Sequence, residues 1–152
     1  MKQRNNILIE NALISDADMI ARIENECFSA PWSLKQIEEE IAKENVIFIK
    51  AVCDNTLIGY VSGQMILDEF YISNVAVTAP YRKMGVGNKL ISELIDMLKN
   101  TDCVFATLEV RQSNKNAISL YEKFGFENLG IRKNFYSLPT ENAYIYTLRF
   151  DN

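Results

Sequence analysis

Histidine is absent from the 152-residue chain. That absence removes Ser-His-Asp and Cys-His catalytic groups and the commonest ligand of zinc and iron sites. Acid–base chemistry must then use Glu, Asp, Tyr, Lys, Cys or the substrate itself. Cysteine is scarce: Cys27, Cys53 and Cys103 are odd in number, far apart and form no CxxC pair. Neither a disulfide framework nor a metal site is expected, only buried, reduced thiols. Basic charge is not in excess, with a net charge of −4. A sequence-independent nucleic-acid binder needs a basic face, so no direct nucleic-acid contact is expected. No run approaches the ~18 apolar residues of a membrane span. The opening "MKQRNNILIENALISDAD" has no apolar segment of signal-peptide length. A cytoplasmic protein without a membrane partner is expected. Repeats, linkers and low-complexity tracts are also missing. At 48% hydrophobic residues the chain can fill a core of its own, and one domain over residues 1–152 is expected.

What is present alternates between strand and helix signals. "ILIENAL", from Ile7, reads as a strand, and Ser15 with Asp18 three residues on reads as a capping-box-like helix start. Ile20, Ile23 and Cys27 share one face of that helix. Pro31 in "SAPWS" interrupts the pattern, and Ser33 with Gln36 caps a second helix running to about Lys43. Val46–Cys53 and "LIGYVSGQMI" flank the turn "DNT" as a hairpin. Glu69–Val77 is a further strand. Val86, Leu90, Ile91, Leu94, Ile95 and Leu98 recur at helical spacing. "CVFATLEV" is apolar on both faces, as a central strand is. A helix from Asn114 to Phe124 follows, with Gly125 at its C-cap. "FENLGIRKNFYS" and "AYIYTLRF" close the chain as strands. The order β-α-α-β-β-β-α-β-α-β-β predicts an α/β (α+β) fold, a mixed sheet of about seven strands with helices on both faces.

Two stretches suggest chemistry. In "NVAVTAPYRKMGVGNKLISELI" an apolar strand runs through a glycine turn directly into a helix. Gly85 and Gly87 permit positive φ, so backbone N–H groups can converge on one spot beside the helix N-terminus. Arg82 and Lys83 add charge, and the combination suits a pyrophosphate. A plain strand-to-helix turn is the alternative. The spacing is neither the GxxxxGKS/T of a Walker loop nor the GxGxxG of a dinucleotide site. In "LEVRQSNKNAISLYEKFGF" a carboxylate, Glu109, sits near the tip of the apolar strand and Tyr121 lies on the following helix. Glu109 is either a partly buried general base or a strand-tip carboxylate paired with Arg111 or solvent. Tyr121 also reads as a core aromatic beside Leu120 and Phe124, and Asn114 as a helix N-cap.

The stretch Arg82-Lys83-Met84-Gly85-Val86-Gly87 resembles the Q/R-x-x-G-x-G/A motif of the GNAT superfamily of N-acetyltransferases. "PWS" at Pro31, "NVAV" at Asn74, "YRKMGVG" at Tyr81, "LEVRQSNKNAISLYEKFGF" at Leu108 and "IRKNFY" at Ile131 narrow the resemblance. Together they look like the bacterial ribosomal-protein-alanine N-acetyltransferases, over nearly the whole chain. The resemblance implies the GNAT fold, a mostly antiparallel sheet splayed in its middle, with acetyl-CoA as co-substrate. It implies a cofactor site made by Arg82, Lys83, Met84, Gly85, Val86, Gly87 and Asn88 at the pyrophosphate. Val75, Ala76 and Val77 would lie along the pantetheine arm, and Asn114 and Tyr121 would also touch the coenzyme. Glu109 takes the role of general base and Tyr121 that of general acid. Trp32 and Tyr136 are implied to line the peptide groove, although Trp32 also suits a hydrophobic staple between helices. Glu69, with Asp68, would attract a basic N-terminal peptide, or else form a solvated turn.

The implied activity is acetylation of a protein N-terminus, an alanine of a small-subunit ribosomal protein. An α-amino group has a pKa of about 7.7–8.0 against ~10.4 for lysine, so a mild base suffices. A lysine side chain or a small amine is the alternative acceptor, and a non-catalytic acyl-CoA-binding module the alternative class. Phe135 stands where the family often has a second tyrosine, and Asn142 where an acidic residue is common. Those departures bear on the acceptor, not on the acetyl chemistry.

Overall fold

The computed structural model describes residues 6–151; residues 1–5 and Asn152, both within the span expected to form the domain, lie outside the described residues. In chain order the strands are β1 (Ile7–Asn11), β2 (Val46–Cys53), β3 (Thr56–Ile66), β4 (Glu69–Val77), β5 (Phe105–Arg111), β6 (Glu127–Tyr136) and β7 (Glu141–Arg149). The helices are α1 (Ala17–Cys27), α2 (Leu34–Ala42), α3 (Val86–Lys99) and α4 (Lys115–Lys123). Among the described residues they build one seven-stranded sheet in the order β1-β2-β3-β4-β5-β7-β6. Every pairing is antiparallel except β4 with β5. The element order matches the expected one.

The alternation of side chains along the central strands explains the helices on both faces. Phe48, Leu57 and Tyr60 pack with Ile20, Ile23 and Ile37 of α1 and α2. Their chain neighbours Ile49, Ile58 and Val61 pack with Leu90, Ile91 and Leu94 of α3. Tyr121 of α4 belongs to the same second layer. Each fully buried aliphatic side chain of this kind contributes about 1.5–3 kcal/mol. Two helices therefore cover each face, and β2 and β3 are buried from both sides.

Local chemistry sets the boundaries. Ser33 accepts the Gln36 backbone N–H (3.2 Å) and the Gln36 side chain accepts the Ser33 N–H (2.9 Å), so the expected capping box forms. The start of α1 departs from expectation. Residues Ile14–Asp16 make a 3-10 turn and the α-helix begins at Ala17. Asp16, not Ser15, stands at the N-cap of α1, and its side chain caps no amide of that helix: Oδ2 turns back to accept the Leu13 N–H at 2.7 Å and pairs with Lys50 Nζ at 2.7 Å. That ion pair is a tertiary contact from the turn to β2. The thiols also need a correction. Cys53 and Cys103 are buried, but Cys27 is partly exposed at the end of α1.

The sheet opens in its middle. β4 and β5 pair only through Glu69–Phe105, Phe70–Ala106 and Tyr71–Thr107. Beyond them β4 continues along β3 to Val77, while β5 continues along β7 to Arg111. At the branch point the β3–β4 register slips: Gly63 faces Ile72 and Ser62 faces Asn74. Ser73 is the extra residue of a β-bulge, the device that bends one strand away from its neighbour. Gly63 allows this close approach, because a Cβ there would lie 2.4 Å from Phe70 Cε2 and from the Tyr71 carbonyl oxygen.

Candidate active site

The parting of β4 and β5 leaves a cavity of about 590 Å³. Ile72, Asn74 and Val75 form its β4 wall, and Leu108, Glu109 and Arg111 its β5 wall. Two segments frame the cavity, one the loop around Phe28 and Trp32 between α1 and α2, the other the end of β6 at Tyr136 with Ser137 of the β6–β7 loop. The loops touch where the Ser29 hydroxyl donates to the Ser137 carbonyl at 3.4 Å.

The Glu109 side chain is only 7% exposed and lies on the cavity wall. Its Oε1 accepts the Tyr71 hydroxyl, and its Oε2 lies 3.5 Å from Arg132 Nε. Pairing with Arg111, one of the readings of this carboxylate, does not occur. Arg111 instead bonds Glu141 (3.1 Å) and the carbonyls of Ser137 (3.1 Å) and Pro139 (2.9 Å). Its guanidinium also stacks 4.4 Å from the centroid of the Tyr136 ring. Arg111 is thus spent on holding the β6–β7 loop. Burial and the Glu109 hydrogen bond push the Tyr71 phenol above its ordinary range, so it stays a donor to the carboxylate.

Tyr121 lines the same cavity. Its ring is 5% exposed and packs on Phe126, centroids 5.6 Å apart, so it is a core aromatic as well. Burial, helped by nearby Tyr136, raises its pKa. Tyr136, on the loop side, is pushed up to about 12 by burial and then by Glu109. Asn114 caps α4, its Oδ1 accepting the Ala117 N–H at 3.2 Å, and also faces the cavity. Trp32 likewise has two contacts, lining the cavity and packing against the α1–α2 core.

The glycine turn follows β4 directly. Gly85 sits at the N-cap of α3 with φ 82°, and a Cβ there would meet nothing within 4 Å. The first intrahelical bond is from Lys89 N–H to the Gly85 carbonyl (3.1 Å), which leaves the amides of Val86, Gly87 and Asn88 without helical acceptors. Val86 is buried in the core beneath the turn. Met84 is partly covered and Lys83, with φ 63°, is exposed. Arg82 is tied back rather than free: Nε donates to the Val77 carbonyl (2.9 Å), Nη2 to Cys27 Sγ (3.2 Å), and Glu26 lies 3.5 Å away. Asn88 lines a separate hollow beside β1 with Ile7 and Phe124. In β4, Ala76 is buried towards α1, while Val75 and Val77 pack on the α3 side. The backbone of these three residues pairs with β3 on one side only.

Glu69 is not brought to the cavity. It is the first residue of β4, exposed, and paired with Phe105 at the closed end of the split. Asp68 lies there too, its carbonyl accepting the Val104 N–H at 2.7 Å. Conversely, Tyr71, Arg132 and Glu24 belong to the cavity surroundings without having been singled out. For Glu24 a signal existed: it lies four residues after Ile20, on the apolar stripe with Ile23 and Cys27. Tyr71 meets Glu109 only through the β4–β5 register, which hydrophobic period does not encode.

Residues 17–126 match the acetyltransferase (GNAT) family. The chain belongs to that family. This acetyltransferase is 35% identical over 133 residues to the ribosomal protein bS18-alanine N-acetyltransferase of Haemophilus influenzae, covering 86% of this chain and 90% of that one. The crystal structure of the ribosomal-protein-S18-alanine N-acetyltransferase of Escherichia coli has the same fold, at TM-score 0.90 and 30% identity, over 96% of this chain and 95% of that chain. Arabidopsis thaliana NAA60 in complex with acetyl-CoA shares the fold alone, at TM-score 0.87 and 20% identity over 95% of this chain and 99% of that chain. Among the described residues the acetyltransferase has no cluster of metal-ligating side chains and no helix long and apolar enough to cross a membrane.

Proposed function

We propose that this acetyltransferase moves the acetyl group of acetyl-CoA onto the α-amino group of a protein N-terminus. The acceptor is the N-terminal alanine of a small-subunit ribosomal protein. Residues 1–152 act as one catalytic domain in the cytoplasm. The observation that carries the reading is Glu109, a nearly buried carboxylate on the wall of the gap between β4 and β5, with Tyr121 on the same cavity. The acceptor assignment is supported by two relatives at 30–35% identity, whose names give ribosomal-protein alanine as their target.

The cavity wall and the glycine turn that follows β4 outside it fit an acyl-CoA on two features. One long side of β4 beyond Ser73 has no neighbouring strand, and its backbone N–H and C=O groups short of the Val77 carbonyl, which Arg82 holds, can pair with an amide-bearing chain. The Gly85 turn presents free amides at a helix N-terminus, as a pyrophosphate requires. Acetyl-CoA supplies an acyl thioester, whose carbonyl carbon is the electrophile and whose sulfur leaves.

Glu109 takes the proton that the amine loses as its nitrogen bonds to the acyl carbon. Tyr71 holds one oxygen of that carboxylate, leaving Oε2 as the proton acceptor. A β4 backbone N–H past the bulge steadies the charge that develops on the carbonyl oxygen. Tyr121 gives its phenolic proton to the sulfur as the C–S bond breaks. The products are an N-acetyl amide and free coenzyme thiol, and solvent returns the Glu109 proton to the Tyr121 phenolate.

The raised Tyr121 pKa has a testable consequence. A phenol above its ordinary ~10 stays protonated throughout the neutral and mildly alkaline range. The rate should therefore rise through the acceptor pKa near ~8 and then hold level. A pH–rate profile with a falling limb below about pH 9 would remove Tyr121 as the acid.

Gly85→Val tests the donor site. A β-branched residue at positive φ costs at least about 1–2 kcal/mol, and it crowds the turn where the phosphates approach. Acetyl-CoA affinity, measured by calorimetry, should fall about tenfold or more. An unchanged dissociation constant would separate the turn from phosphate binding. The acceptor is tested by turnover of acetyl-CoA on three amines. These are a peptide starting with alanine, the same peptide N-terminally blocked but carrying lysine, and a polyamine. Turnover on the first alone is expected. Turnover only on the others would overturn the N-terminal assignment, and tight binding without any turnover would indicate a binding module.

A further inference from the structure

Glu24 is 1% exposed, within α1 and beneath the cavity. An ionised carboxylate is costly to bury unless donors surround it. Here three do. Oε1 accepts the Trp32 backbone N–H at 2.8 Å. Oε2 accepts the Asn74 amide Nδ2 at 2.7 Å and the Tyr60 hydroxyl. Burial and Glu24 raise the Tyr60 pKa, so that phenol remains a donor.

The two oxygens face different parts of the site. Trp32 belongs to the α1–α2 loop that frames the cavity. Asn74 follows Ser73, the bulge residue, and is the first position of β4 past the branch where the strand's free side begins. One buried carboxylate therefore spans from the loop assigned to the acceptor to the strand assigned to the donor. Proton transfer in the proposed reaction does not need it.

We propose that Glu24 is a positioning residue that couples the two substrate sites. This rests on the acetyl-transfer reading of the cavity. With Trp32 and Asn74 on one anchor, ordering the strand around the coenzyme also orders the loop that meets the peptide. Linkage makes the effect reciprocal: a bound peptide tightens coenzyme binding by the same factor. Glutamine replaces the carboxylate only if Asn74 turns its Oδ1, and Tyr60 its oxygen, towards the new amide, which gives up the two charge-assisted bonds that hold β4. It offers one accepting oxygen, and its Nε2 turns a donor towards the donors of Trp32 or of Asn74 and Tyr60.

The test uses free CoA and an unacetylated alanine-starting peptide, a pair that cannot react. Calorimetry gives the peptide dissociation constant with and without saturating CoA. The parent is expected to bind the peptide about fivefold or more tightly with CoA present. In Glu24→Gln that ratio should fall towards one. The double variant Glu24→Gln/Asn74→Asp restores a donor–acceptor match and should recover the ratio, which a loss of stability alone does not predict. If Glu24→Gln does not fold, Asn74→Ala cuts only the strand arm and should lower the ratio in the same direction. A ratio near one in the parent, or the same ratio in parent and variants, overturns the coupling. Acetyl transfer to the peptide by the parent is measured alongside. Its absence would sink the functional reading itself, whereas transfer with an unchanged ratio sinks only the role of Glu24.

Discussion

Glu109→Gln is expected to lower turnover by roughly 10²–10⁴-fold while acetyl-CoA affinity changes little. The substitution is close to isosteric. A glutamine oxygen can still accept the Tyr71 hydroxyl, so the wall between β4 and β5 keeps its hydrogen bond. What disappears is an acceptor for the amine's proton. The Arg132 contact, at 3.5 Å and with Arg132 58% exposed, is a weak surface interaction and accounts for little of the loss. Single-turnover kinetics with saturating acetyl-CoA separates chemistry from binding. Equal rates in variant and parent would remove Glu109 from the mechanism. A loss confined to acetyl-CoA affinity would make it part of the binding wall.

Tyr121→Phe is expected to lower turnover by about 10²-fold or more, with the melting temperature close to that of the parent. The phenylalanine ring keeps its place against Phe126 and in the layer beneath α3. The substitution removes one oxygen at the cavity wall and leaves the ring contacts in place. A structural role would lower stability and leave turnover alone; an acid role does the reverse. Thermal melts and steady-state rates on the same preparations distinguish the two, and unchanged turnover would mean that the leaving thiolate takes its proton from elsewhere.

Much of the fold was legible because its strongest signals are local. β2 and β4 have the limits read from β-branched and apolar runs, Val46–Cys53 and Glu69–Val77. α3 follows its apolar spacing, and the Ser33–Gln36 box forms as its residues suggest. Locality also explains the misplacement at α1. Asp16 is drawn to Lys50, 34 positions away, a contact that the local capping signal does not contain.

The candidate site divides in the same way. Glu109, Tyr121, Asn114, Trp32 and Tyr136 come from motif segments, and the structure places all five on one cavity. Glu69 lies outside because β4 runs away from it towards the open end of the split, a direction that an isolated strand signal lacks. Tyr71 depends on a parallel register between strands separated by a whole helix. The bulge at Ser73 depends on Gly63 accepting the Phe70 ring and the Tyr71 carbonyl, a cross-strand fit invisible in either segment alone.

A crystal structure with a bisubstrate compound, CoA joined through an acetyl linker to the nitrogen of an alanine-starting peptide, tests the central claim most directly. The linker should lie in the gap between β4 and β5, with the coenzyme's amides on the free side of Asn74–Val77 and its phosphates at Gly85. The alanine nitrogen should be within hydrogen-bond reach of Glu109, directly or through one water. A linker bound outside the gap, or a nitrogen on the far side of the cavity from Glu109, would contradict the account.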